Sequence, residues 1–353
     1  MAHSNGRVSL GLVAFGLLLP VGLSAQDAKG GGVQIVRHDA ERRIDVVIDG
    51  QPFTSYIWPE VLTKPVLFPL RTDRGTAITR GFPLEPRSGE RTDHPHHVGL
   101  WLSYGDVNGV DFWNNSTALP TDQQAKMGRG RHVKVVAAES GPQEGRLEVA
   151  IEWVMPDGSV AVDEDTTFVF RGGAGQRIVD RTTRLTARGK AVRFADNKEG
   201  FLGLRVARSL EHPSKEPATF TDAAGRATAV AVLDNTGVTG RYRSSEGKEG
   251  DDVWGTRGRF VSLAGRVGNE DVTVALFDRP ENPGAPTYWH ARGYGLFAAN
   301  PLGQAVFSNG KETLNFTLAP GAPATFRWRL AILSRNAGAA EIEALAKDVA
   351  PGR

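Results

Sequence analysis

Arg146-Leu147-Glu148-Val149-Ala150-Ile151-Glu152-Trp153-Val154 alternates polar or small residues with large apolar ones and runs into the turn Pro156-Asp157-Gly158. In an extended chain this period of two puts Leu147, Val149, Ile151 and Trp153 on one face and the charges on the other, which is the pattern of a half-buried strand. The pattern continues on both sides. Upstream lies Val133-Lys134-Val135-Val136; downstream, the runs Thr166 to Phe170 and Gln176 to Thr186 flank the turn Gly172-Gly173-Ala174-Gly175. Strands joined by turns this short pair with their sequence neighbours, so the segment predicts an antiparallel meander.

Working outward, the β-branched runs Val33 to Val36 and Ile44 to Asp49 open the folded part, the second ending at Gly50. Further strands are predicted over Thr228 to Leu233, Arg259 to Leu263, Val272 to Phe277, Thr313 to Leu318 and Thr325 to Leu333. Only Ala340 to Val349 has helical character. There is no alternation of strand with helix and no repeat with a period of about 20 to 50 residues. These features predict an all-β chain: a single large antiparallel β-sandwich, enlarged to a supersandwich-like size, over residues 33–353, with one short C-terminal helix.

The first residues read as an export signal. Arg7 precedes an apolar run, Val8 to Leu23, broken by Gly11, Gly16 and Pro20 and followed by the small residues Ser24 and Ala25. Residues 1–25 are therefore expected to form a signal peptide, residues 26–32 a flexible Gly-rich tether, and the mature protein to be periplasmic or secreted, with no membrane attachment after cleavage. The chain has no cysteine, which excludes disulfides, thiolate metal sites and cysteine nucleophiles. Its 42 basic and 40 acidic residues are interspersed, so no nucleic-acid or anionic-lipid partner is expected.

Between Trp58 and Asn115 the alternation fails, and Pro, Gly, Arg, His and aromatic residues crowd together. At its centre is Arg91-Thr92-Asp93-His94-Pro95-His96-His97-Val98-Gly99-Leu100-Trp101, holding three of the eight histidines, and then Gly105-Asp106-Val107-Asn108-Gly109-Val110-Asp111-Phe112-Trp113. In extended backbone His94 and His96 share a face, with His97 on the other. Imidazole suits acid–base work near neutrality and, when neutral, ligates metals. The competing structural account bonds these rings to Asp93, Asp106 or Asp111. The Asp106 to Asp111 segment has glycine in the wrong place for a calcium loop and reads as a turn.

Three other segments carry chemistry. Lys64-Pro65-Val66-Leu67-Phe68-Pro69-Leu70-Arg71-Thr72 and Thr79-Arg80 offer guanidinium forks for hydroxyls or a carboxylate. Glu199-Gly200-Phe201-Leu202-Gly203-Leu204-Arg205 embeds a carboxylate and an arginine among small and apolar residues. Tyr288-Trp289-His290-Ala291-Arg292-Gly293-Tyr294-Gly295 interleaves aromatics with a histidine and an arginine, the composition of a wall that stacks on sugar rings. Zincin, nucleophile-elbow, P-loop and dinucleotide-binding motifs are absent.

On these same segments, K-P-x-x-x-P-L-R-T at Lys64 to Thr72, D-H-P-H-H-x-G-L-W at Asp93 to Trp101, G-D-V-N-G-V-D-F-W at Gly105 to Trp113, E-G-x-x-G-x-R at Glu199 to Arg205 and Y-W-H-A-R-G-Y-G-L at Tyr288 to Leu296, the chain resembles a large bacterial family of unknown function often labelled "methane oxygenase PmoA". Val98 stands where that family usually has a basic residue. Subunits of particulate methane oxygenase are integral membrane proteins, whereas the mature chain has no apolar stretch of about 18 residues, so the label does not describe its chemistry. The chain also has a loose similarity to aldose-epimerase-like large β-sandwiches, which use histidines and a glutamate on a concave sheet. Both resemblances imply sugar chemistry.

The expectation is thus an exported carbohydrate-active enzyme of hydrolase, lyase or epimerase type, with a small-molecule or oligosaccharide substrate. His94, His96, His290 and Glu199 would supply acid–base groups. Arg71, Arg80, His97, Asp111, Arg205 and Arg292 would hold polar groups of the substrate, and Trp101, Trp113 and Trp289 would stack on its rings. Two alternatives stay open. One is an enzyme whose cofactor is one divalent metal on His94, His96 and Glu199; the other is a non-catalytic glycan-binding protein.

Overall fold

The computed structural model describes residues 31–347. The expected signal peptide, most of the tether and the last residues of the expected helix lie outside the described residues. At the end of the tether, Gly32 is fixed instead of flexible: its amide donates to Asp49 Oδ1 (2.8 Å) and its carbonyl accepts from the Asp49 amide (2.8 Å).

Two eight-stranded antiparallel sheets face each other. The first runs, in spatial order, Val33–His38, Arg43–Ile48, Gln51–Ile57, Val66–Leu67, Leu100–Tyr104, Gly200–Arg205, Leu296–Asn300 and Tyr288–Arg292. The second runs Arg241–Ser244, Phe260–Val267, Glu270–Asp278, Pro323–Leu333, Gln176–Ala187, Val160–Gly173, Glu144–Val154 and Arg129–Glu139. Its last four strands are neighbours both in the chain and in space, the meander that the period-two pattern demands. Aromatic residues join the sheets. Phe53 and Tyr56 of the first meet Phe170 and Phe168 of the second at ring separations of 6.2 and 6.0 Å, and Phe201 meets Phe326 at 4.9 Å and Trp328 at 5.8 Å. Burial of this apolar area is the dominant stabilisation, since no disulfide contributes.

Some elements differ from expectation. The run Thr228 to Leu233 reduces to Ala227–Val230, which pairs with Ala218–Thr221 in a separate hairpin. Of Thr313 to Leu318 only Thr317–Leu318 is strand, because the Asp196 carboxylate captures the amides of Leu314 (2.9 Å) and Asn315 (2.7 Å) and Asn315 turns to a φ of 42°. The C-terminal helix is Ala339–Lys347. Two further helices, Thr121–Gln124 and Gln304–Phe307, are single turns of four residues, too short to show a period.

Alternation in the first sheet decides what reaches its outer face. Leu102, Leu204, Trp289, Ala291, Phe297 and Ala299 point into the core between the sheets. Their neighbours point out: Trp101, Gly203, Ala298 and His290 form one row across four strands, and Arg205, Leu296 and Arg292 part of the next. Gly203 is the gap in the first row. A β-carbon there would lie 2.5 Å from the Trp101 ring and 2.9 Å from the Trp113 ring. Gly203→Ala is therefore expected to destabilise the domain by about 1–3 kcal/mol through overpacking, read as a lower urea midpoint. An unchanged midpoint would show that the two indoles are free to move.

Candidate functional site

The site is built on that outer face, and its organiser is Arg80. This side chain is 1% exposed, yet Nη1 donates to the carbonyls of Arg91 (3.2 Å) and Asp93 (2.7 Å) and to Asp93 Oδ1 (2.8 Å), while Nη2 donates to the carbonyls of His94 (2.8 Å) and His97 (3.0 Å). One planar fork thus replaces the backbone pairing that an irregular, Pro-containing loop cannot make for itself. Every bond it makes is to the loop, so Arg80 shapes the site and does not reach a substrate.

Asp93 is the second fixed point. Its Oδ1 also accepts from Arg205 Nη2 (2.6 Å), and Oδ2 lies 3.2 Å from His94 Nδ1. Burial by itself would raise the Asp93 carboxyl, but the His94 bond and the guanidiniums of Arg205 and Arg80 hold it well below the usual carboxylate range. An ionised carboxylate behind Nδ1 orients the His94 ring and favours a proton on that nitrogen, leaving Nε2 as the outward atom. His94 holds this position at a φ of 42°, a left-handed conformation rare for a side-chain-bearing residue, and its side chain is 40% exposed.

Aromatic contacts extend inward and outward from His94. Its ring is parallel to Tyr294 (5.0 Å) and to His97 (4.8 Å), and His97 stacks in turn on Trp101 (5.1 Å). Arg205 lies over Tyr294 at 4.9 Å and Arg292 at 6.0 Å. Burial pushes the Tyr294 hydroxyl up to about 12, against the pull of Arg205 and Arg292, so it stays protonated.

His290 and Glu199 form the other half. His290 Nδ1 is 2.8 Å from the Lys198 carbonyl; only a protonated Nδ1 bonds there, which leaves Nε2 with its lone pair. Burial pushes His290 down to about 4, opposed by nearby Glu199, so the ring is neutral at neutral pH. Glu199 is paired with Lys198 at 2.9 Å. Beside His290 stands Trp254, 37% exposed, with ring centroids 6.5 Å apart, and Arg292 lies 5.4 Å over the same indole.

Several expected roles change. Trp101, Trp113 and Trp289 are all 0% exposed and cannot stack on a ligand; Trp289 faces the core because it alternates with His290. His97 and Arg205 are buried and support His94 from behind, joined by a 3.3 Å contact of Arg205 Nη1 with His97 Nδ1. His96 is half-buried, and its ring is pushed down to about 2, first by burial and then by Lys64, so it is neutral. Asp111 caps its own turn, accepting from the amides of Trp113 (2.8 Å) and Asn114 (3.0 Å). Arg71 Nη1 donates to Gly75 within its own hairpin turn (3.1 Å), and among the described residues it has no ion pair with the histidine loop. The metal set fails on geometry: among the described residues no three His, Asp or Glu side chains converge as a ligand group, and Glu199 is engaged by Lys198.

Three residues escaped sequence reading. Tyr294 and Lys64 lie inside quoted motifs, but their interior neighbours are distant in the chain; burial pushes the Lys64 ammonium down to about 7, with Asp111 pulling it back. Trp254, in Asp251-Asp252-Val253-Trp254-Gly255, belongs to no motif; a tryptophan in a polar, glycine-bounded loop was its only signal. A cavity of about 590 Å³ lies elsewhere, under the Ala218–Thr221 hairpin, and contains none of the site residues.

Residues 43–347 match the profile of a family of unknown function, DUF6807. No protein of curated function matches the chain. Among solved structures, galactose 1-epimerase from Lactobacillus acidophilus NCFM is similar over 86% of this chain and 99% of its own, at 10% identity and a TM-score of 0.37. GH36 alpha-galactosidase AgaB from Geobacillus stearothermophilus is similar over 85% of this chain and 40% of its own, at 10% identity and a TM-score of 0.35. A galactose mutarotase related enzyme from Lactobacillus acidophilus covers 86% and 97%, at 8% identity and a TM-score of 0.30. At these scores the likeness assigns no residue and no activity.

Proposed function

We propose that this chain, which belongs to the DUF6807 family of unknown function, is an exported carbohydrate-active enzyme that works by acid–base catalysis on the outer face of its first sheet. The observation that carries this reading is the exposed Trp254 beside His290 and under Arg292, on the sheet that also presents the Asp93–His94 pair. Trp254 offers an apolar plane for the C–H face of a sugar ring, and Arg292, without an ion-pair partner among the described residues, offers donors to hydroxyls or a carboxylate. His290 is buried and neutral, and its Nε2 lone pair is suited to accept a hydrogen bond from a substrate hydroxyl rather than to hold a proton. His94, backed by ionised Asp93, is suited to take or return one on the other side of Tyr294. Hydrolysis, elimination and epimerisation all use such a pair.

The test is proton NMR of the mature protein with a panel of monosaccharides, sugar acids and oligosaccharides, watching for new anomeric, reducing-end or unsaturated signals. With a turned-over sugar, His94→Gln is expected to lower kcat by about a hundredfold or more. Trp254→Ala is expected to raise KM about tenfold with a smaller change in kcat. Full activity in the His94→Gln, His290→Gln double variant would refute the assignment. Export is tested separately: the protein recovered outside the cytoplasm should have lost its first 25 residues by intact mass.

A further inference from the structure

On the outer face of the first sheet, Arg292 is a cation without an anion among the described residues. Arg80 and Arg205 bond to Asp93, and Lys198 pairs with Glu199 at 2.9 Å. Asp251, beside Gly293, lies 3.3 Å from His212 Nδ1. Arg292, exposed at the end of the edge strand Tyr288–Arg292, makes no ion pair and donates no hydrogen bond among the described residues. Its guanidinium is nonetheless held in place: the Trp254 indole is 5.4 Å from it and the Tyr294 ring 6.0 Å.

A guanidinium that rests on aromatic faces keeps its in-plane N–H donors free. A hydroxyl takes one such donor, whereas a carboxylate takes two in parallel and supplies the missing charge. The place of this fork also matters. The Tyr294 ring is 6.0 Å from Arg292 and 5.0 Å from the parallel His94 ring, so one aromatic ring separates the fork from the outward Nε2 of His94, a gap that a sugar residue bridges. Taking a proton from the carbon next to a carboxylate develops negative charge on the carboxylate oxygens, and a guanidinium bound to them stabilises it. Arg292 is therefore placed to bind an acid group and to ease proton removal beside it.

We propose, building on the acid–base reading above, that the substrate is a glycan containing uronic acid, held by its carboxylate on Arg292, and that the reaction is elimination. His94 Nε2 takes the proton from the carbon that bears the carboxylate, and the electron pair of that C–H bond becomes a new C=C bond. The glycosidic bond on the neighbouring ring carbon breaks, and its oxygen leaves with the electron pair and collects the proton from His94. The products are an unsaturated uronate and a new reducing end. No water or other reactant is consumed, and His94 ends in the protonation state in which it began.

The test incubates the mature protein with oligomers of galacturonate, mannuronate and glucuronate, with their methyl esters, and with the neutral oligomers of galactose, mannose and glucose. Unsaturated ends are read by the ultraviolet absorbance of the C=C bond conjugated to the carboxylate and by its vinyl proton. At least one acid is expected to give them, with kcat/KM at least about tenfold lower for its methyl ester. Arg292→Met should lower kcat/KM on the acid by at least about tenfold, with an unchanged melting temperature because the side chain is exposed. Turnover of neutral oligomers alone would overturn this inference and leave the acid–base enzyme standing. New reducing ends from the acid without unsaturation would show hydrolysis and overturn the elimination. Equal kcat/KM on acid and ester, or full activity in a folded Arg292→Met protein, would remove Arg292 as the reader of the carboxylate. If that variant does not fold, the comparison of acid with ester on the natural sequence decides. If no oligomer of either kind reacts, this inference and the reading it rests on fall together.

Discussion

Between pH 6.5 and 4 the folded domain is expected to lose stability at up to about 3 kcal/mol per pH unit. The cause is histidine held neutral by burial. His96 is pushed down to about 2, His97 well below its ordinary value and His290 to about 4, each mainly because the interior disfavours its charge. The unfolded chain binds protons on these rings below about pH 6.5 and the folded chain does not, so acid favours unfolding. The sign is that of a depressed folded pKa: stability is full above the unfolded value and falls as pH drops towards the folded one. Asp278 acts in the opposite sense, because burial raises its carboxyl to about 7 and lets the folded state hold a proton that the unfolded state releases. His132, pushed to about 4 by burial, and His212, also lowered, add to the three rings, while the Glu90 and Glu211 carboxyls, raised by burial, add to Asp278 on the opposing side, so the balance is about two protons, each worth about 1.4 kcal/mol per pH unit. Below about pH 4 the contribution of His290 saturates, while Asp93, held low by His94, Arg205 and Arg80, begins to add a loss of its own. Urea denaturation at half-unit pH steps measures the slope, and His97→Gln should flatten it by about one proton. A midpoint constant from pH 7 to 5 would mean that the rings are not buried as described.

Arg80→Met is expected to cost about 3–5 kcal/mol, the cost of removing one partner from a buried, hydrogen-bonded charge pair. The change strips donors from the carbonyls of Arg91, Asp93, His94 and His97 at once and leaves Asp93 with one guanidinium, that of Arg205, in place of two. Arg80→Lys keeps the charge but not the fork, so it should recover only part of the loss. Thermal and urea unfolding give the magnitude. Near-ultraviolet circular dichroism, sensitive to the Trp101 and Trp113 packing against His97, reports whether the loop itself has come apart. A native-like melting temperature in Arg80→Met would remove Arg80 as the organiser of the site.

The histidine loop stood out because three imidazoles among Pro, Asp and Trp are conspicuous in one dimension. What each residue does there depends on contacts far apart in the chain: Arg205 meets Asp93 across 112 positions, and the Lys198 carbonyl meets His290 across 92. Composition marks Trp101, Trp113 and Trp289 as stacking residues just as well as Trp254, and only burial separates them.

Alternation along Val133 to Val136, Arg146 to Val154, Thr166 to Phe170 and Gln176 to Thr186 was enough to give the β-sandwich class and the meander, because side-chain alternation in a strand is a local property that chain order records directly. Composition likewise picked out the histidine loop and the segments that carry Arg205 and His290, whose side chains alternate onto the outer face of the first sheet. Tertiary structure alone decided which members of those segments meet solvent. Exposure depends on which strand lies beside which and on what covers the sheet, and both are set by pairings between residues that no local pattern connects.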